Sequence, residues 1–159
     1  MTLQELQNEF PNATESTWHQ HPCGGGWVEN TAHVDAYVGP DAVVYGNAWV
    51  FGNARVYGNA RVFGHSRVFG NARVYGYAQV YGNTWVSGNA RVSGNARVYG
   101  DAQVCENAWV CENAYVFGNA EVCGNARVYG NTWVFGNARV YGYAQVYGNT
   151  WVFGNAWVS

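Results

Sequence analysis

A single all-β solenoid of the parallel β-helix class is predicted by three features of this chain. The period is six and unbroken: nineteen consecutive hexads run from Val44 to Trp157 without insertion or deletion. Every unit opens on Val, and an Ala stands four positions later in most. A Gly-Asn pair recurs between them, as in Val56-Tyr57-Gly58-Asn59-Ala60-Arg61. A hexapeptide period carrying an aliphatic residue every six positions is a β-helix signal, and a fixed period means one unit stacked on copies of itself.

Each unit contains one short strand and one corner. Ala-x-Val-x alternates, so Ala and Val point inward and the two x residues outward. Gly-Asn turns the chain, since Gly tolerates positive φ and Asn visits that region more readily than most residues. One hexad cannot bury its Val alone; stacking does so, with each strand hydrogen-bonded to those above and below.

Ahead of the repeats, Thr2-Leu3-Gln4-Glu5 fits a capping box, and Leu3, Leu6 and Phe10 form one apolar stripe that Pro11 stops. This short helix is expected to cover the first coil, whose strand edges would otherwise stand open. Residues 1–27 thus read as cap and connector, with an irregular stretch ending in Gly24-Gly25-Gly26, and 28–159 as the repeat domain. The repeat slips once, between Val34 and Val38, and keeps register from there to Val158. No cap follows Val158-Ser159, so that edge is expected to be tolerated, paired or hidden in an oligomer.

The aliphatic residue followed four positions later by a small one, as in Val56/Ala60 and Val98/Ala102, resembles the hexapeptide-repeat superfamily. That resemblance implies a left-handed parallel β-helix in which three hexads close one triangular eighteen-residue coil. The Val-x-Gly-Asn-Ala wording, entered through Gly24-Gly25-Gly26-Trp27-Val28, is most similar to uncharacterised phage and bacterial members, which carry no activity over. Enzymes of the superfamily more often place Gly one residue after the aliphatic position; here it falls two after.

Charge is unevenly spread. The chain has no Lys, and all eight basic residues are Arg within the repeats. Residues 1–41 hold six acids and no base, while no acid occurs between Val44 and Arg97. The overall −2 hides this asymmetry and argues against strong non-specific binding of long nucleic acid. There is neither a membrane-length apolar run nor a signal-peptide pattern, so cytoplasm is the expected location, the host's if phage-encoded.

Coils of eighteen residues would stack outward residues into columns. One is aromatic throughout: Tyr45, Phe63, Tyr81, Tyr99, Phe117, Phe135 and Phe153. It reads as a stiffening ladder and as an oligomer interface, since so long an apolar stripe is unusual on a monomer. Trimers are common in the superfamily, and the resemblance favours a homotrimer. Another column reads Tyr37, Arg55, Arg73, Arg91, Trp109, Arg127 and Gln145, stacking three arginines beside Tyr57 and Tyr75. Arg grips phosphate bidentately and stacks on rings. Arg55, Tyr57, Arg73, Tyr75, Arg91 and Trp109 are therefore candidates for binding a flat anion such as a nucleotide. The plainer reading is that the guanidinium groups splay over aromatic neighbours and stay hydrated.

Catalysis is not expected. Acyltransferases resembling this fold use a His and a loop thrown out from a coil; here only His65 lies in the repeats, and no loop interrupts them. His19-x-His21-x-Cys23 offers three zinc-type donors in a connector, fewer than a structural site uses, so neither metal nor cofactor is expected. Cys105 and Cys123 stack in one column and are expected as free thiols. Flat Thr ladders that would suit ice are absent, since Thr84, Thr132 and Thr150 take the inward Ala position. Three function classes stand: a non-catalytic binder of a small anionic aromatic ligand, a structural or self-assembling solenoid, and a degenerate transferase.

Overall fold

The computed structural model describes residues 1–159, and its first element is the helix that the capping box announces. In α1 (Leu3–Glu9) the Thr2 side chain accepts from the Glu5 N–H, while the Glu5 carboxylate accepts from the Thr2 N–H. Leu6 is buried with Ala13, Trp18, Trp27 and Val43 in a cluster separate from the main core. Polar contacts fasten the cap: the Met1 amine lies 3.0 Å from Asp41, the Trp27 indole N–H donates to the Met1 carbonyl, and Glu9 pairs with Arg61.

The connector differs from the irregular segment expected. It contains β1 (Trp18–Gln20), which runs antiparallel to β2 (Trp27–Glu29) and closes the upper edge of that strand. Three residues are too few to show a period, and the strand forms because an open sheet edge needs a partner. Strand β1 therefore takes one edge of the first coil that the sequence assigns to the helix, Cys23 and Gly26 bond the edge at Val38, and α1 lies against the outer side of the β2 face.

Strands β2, β3 (His33–Val34) and β4 (Tyr37–Val38) make the three sides of the first coil. From there two-residue strands recur every six residues, each pairing in parallel with strands eighteen residues away, as Arg73 does with Arg55 and Arg91. The result is a β-solenoid of three parallel sheets. The β2 face has nine strands counting β1, the β3 face eight and the β4 face seven. The slip between Val34 and Val38 is absorbed at Asp35-Ala36, since Val34 still pairs with Val50 and Val38 with Val56.

The interior is a rod of 37 buried residues made of stacked Val and Ala. Fully burying one Val contributes roughly 1.5–3 kcal/mol, so stability is spread along the axis. Ser66 and Thr132 take the Ala position and remain buried because each hydroxyl donates to the carbonyl three residues earlier, Phe63 and Tyr129. Thr84 occupies the same position with its hydroxyl unpaired. Thr150 makes the same bond as Ser66 and Thr132, to the Tyr147 carbonyl, in the inward position expected, and is exposed at the end of the stack.

The corners divide their labour in a way the sequence did not suggest. Positive φ belongs to Gly alone among the Gly-Asn pairs; no Asn adopts it. The asparagines instead form amide ladders along the corners, for example Asn71 to Asn89, Asn107 and Asn125, at 3.0–3.1 Å. Glu106 and Glu112 replace corner Gly and keep its conformation, at φ 60° and 61°. A residue with a Cβ loses about 1–2 kcal/mol there. Glu106→Gly and Glu112→Gly are each expected to stabilise the chain by about 1 kcal/mol, read as a higher denaturation midpoint. An unchanged or lower midpoint would contradict the assignment.

Cys105 and Cys123 correct the free-thiol expectation: they are joined as a disulfide, with Cα atoms 4.7 Å apart. Stacked positions on adjacent coils lie at the strand spacing, inside the disulfide window. Cys23 and Cys111 are free.

Candidate binding face

The β4 face brings the predicted ligand residues together. Arg55, Arg73 and Arg91 pair directly, rung on rung, and Arg91 pairs next with Trp109 and Trp109 with Arg127. Like charges in register repel, and the geometry shows how two of the three escape. The Arg55 guanidinium leans up over the Tyr37 ring at 5.8 Å, and that of Arg91 leans down over Trp109 at 5.8 Å. This is the splaying that the plainer reading expected.

Arg73 remains between them. The other arginines each have an acid or a ring: Arg61 has Glu9, Arg139 has Glu121, Arg67 has Trp85, Arg97 has Tyr115 and Arg127 has Trp109. Arg73 alone has neither, nor a side-chain hydrogen bond. Beside it Tyr57 and Tyr75 stack face to face, centroids 5.0 Å apart and planes 2° from parallel. Their shared faces are thus closed to any ligand ring. The stack ends at Tyr75, because the next rung holds Ser93, whose hydroxyl accepts the Trp109 indole N–H at 3.1 Å.

Tyr45, Phe63, Tyr81, Tyr99, Phe117, Phe135 and Phe153 form a continuous ladder, with successive centroids 4.6–5.4 Å apart. Stacking turns the ring faces toward each other and the edges outward, so the column offers a strip of ring edges, half-buried down to Phe135 and exposed at Phe153. Tyr45 stands apart from the other interface candidates. Phe10 packs on it edge-on at 5.0 Å and Trp18 lies at 6.1 Å, so the cap covers the top of the strip. Burial raises the Tyr45 pKa accordingly.

The connector donors do not converge. The His19 ring bonds Asn30 at 2.8 Å, and His21 is buried with its ring nitrogens near the Cys23 backbone and the Val34 carbonyl. Cys111 is half-buried, and desolvation pushes its thiol pKa up, away from the reactive thiolate. The Tyr141 hydroxyl, bonded to Glu121, is likewise raised by that bond. No helix is long and apolar enough to cross a membrane.

The asparagine ladders went unread in the sequence, and Arg127, a member of the arginine column, was not among the ligand candidates. A column of Asn at eighteen-residue spacing was the available signal, obscured by the residue's familiar role in turns.

Comparison with known proteins places the fold in context. Neither the curated proteins nor the solved structures contain a match to this chain. Residues 54–68, 66–82, 85–100, 90–106, 120–135 and 134–148 match the YdcK beta solenoid repeat, and together they cover half of the chain. With the repeat matched in all three sheets of an uninterrupted solenoid, the chain belongs to the YdcK β-solenoid repeat family.

Proposed function

We propose that this protein is a non-catalytic, cytoplasmic binding solenoid that takes a small anionic aromatic ligand, such as a nucleotide, on the β4 face. In this reading it is a left-handed member of the hexapeptide-repeat superfamily and assembles as a homotrimer through the aromatic strip below Tyr45. The observation that carries the binding reading is Arg73, a cation held in register between two others without an acid or ring of its own. An anion at Arg73 relieves the repulsion, and the charge-assisted fork supplies about 1.5–3 kcal/mol per contact. The open end of the Tyr57–Tyr75 stack offers an aromatic surface beside it.

Calorimetry at low salt against mono-, di- and cyclic nucleotides is the test. Binding is expected to weaken with salt, and Arg73→Ala is expected to cost more affinity than Arg139→Ala, because Arg139 already has Glu121 at 3.6 Å. Silence across the panel moves the assignment to a structural, self-assembling solenoid. The uninterrupted ring ladder, which stiffens the rod without any ligand, favours that second reading. Sedimentation as a trimer supports the assembly; a monomer at high concentration removes it.

A further inference from the structure

Two rungs below Tyr75, where the tyrosine stack ends, the chain builds something different from the rest of the face. Trp109 carries a guanidinium on each side, Arg91 one rung above at 5.8 Å and Arg127 one rung below at 5.9 Å. Its indole N–H is committed to Ser93. With its faces and its donor engaged, the indole is a wedge that holds two cations apart and cannot receive a ligand ring. Beside it opens a cleft of about 270 Å³, lined by Asn89, Arg91, Asn107, Trp109, Asn125 and Arg127.

The lining is made of donors. In the corner ladder Asn71 donates to Asn89, Asn89 to Asn107 and Asn107 to Asn125. Each of Asn89 and Asn107 therefore spends one amide N–H on the next rung and keeps the other free. Asn125 ends the ladder, because Tyr143 stands where the next Asn would be, and both its amide N–H groups are free. No acid lines the cleft; Glu106, beside Asn107 at that corner, is exposed and outside it.

We infer that this cleft is a second ligand site, for a compact two-ended anion such as a diphosphate or a short dicarboxylate. Arg91 and Arg127 stand two rungs apart, roughly 10 Å along the axis, so one small oxyanion meets one fork while a two-ended anion engages both. The site goes beyond the nucleotide strip: it shares Arg91 and Trp109 with it, but Arg127 and the asparagines that define it lie outside. The ring-free chemistry follows from the occupied indole.

The probes are inorganic pyrophosphate, succinate and orthophosphate, titrated into the intact protein by calorimetry at low salt. Pyrophosphate or succinate is expected to bind at least tenfold more tightly than orthophosphate, and whichever binds identifies the oxyanion read. Arg127→Ala and Asn125→Asp should each weaken that binding at least tenfold, the second by placing a like charge in the cleft. Arg73→Ala should change it less than twofold. Both arginines are exposed, and circular dichroism of each variant checks that the solenoid persists. Failure of both two-ended anions to bind, or unchanged affinity in Arg127→Ala, overturns the proposal. Nucleotide binding that depends on Arg73 and not on Arg127 tests the strip separately, so either site can fail alone.

Discussion

Val98→Asp is expected to unfold several coils at once. Val98 is fully buried and stacks between Val80 and Val116 on the β2 face. A carboxylate there has no partner and no water, and burying an unpaired charge costs several kcal/mol even after relaxation. The loss does not stay local, because each coil is held only by its neighbours, and removing one interface uncouples the segments on either side. Thermal melting with circular dichroism should show a lowered and broadened transition, or none. A variant that melts within a degree or two of the parent would refute the inward assignment of the whole Val column.

Gly100→Ala should be the next most damaging single change, for a reason confined to the corners. Gly100 has φ +74°, where a Cβ is strained, and that Cβ would stand 2.9 Å from the Gly118 backbone nitrogen. Strand spacing fixes the distance between stacked corners, so the backbone cannot move away without breaking ladder bonds. Gly148 supplies the control: its φ is +79°, but an added Cβ meets nothing within 4 Å. Gly148→Ala should cost about 1–2 kcal/mol, the conformational strain alone. Gly100→Ala should cost clearly more, and the difference, read from denaturant midpoints, measures the close approach. Equal costs would mean that stacked corners can part freely.

Much of this protein was determined by its sequence alone, and the reason is the period. Val every six residues can be buried only by stacking, and the Ala four positions on leaves no room for a wider interior, so Val98 and Ala102 had one place to go. The register of Arg55, Arg73 and Arg91, and the aromatic column from Phe63 to Phe153, needed one step more: the eighteen-residue coil that the superfamily resemblance implies and the strand pairing shows. The four-residue capping-box signal at Thr2–Glu5 held for an equally local reason: both of its hydrogen bonds close within one turn.

Where side chains choose among neighbours of equal spacing, the choice is made by packing in the folded molecule. Arg91 leans down to Trp109 and Arg55 up to Tyr37, and nothing in a repeat unit ranks the rung above over the rung below. Arg73 became the unpartnered cation through those two choices made elsewhere. The corner asparagines adopt no left-handed backbone because the preceding Gly supplies the whole turn, which frees their amides to bond along the axis. Cys105 and Cys123 joined because adjacent coils put them at the strand spacing, where the expected cytoplasmic location favoured free thiols. Strand β1 and the cover over Tyr45 arise outside the repeat, where short segments answer to an exposed edge and carry no period of their own. Periodicity fixes a backbone through repeated burial; outward side chains are fixed by single contacts, which come into being only after the coils have stacked.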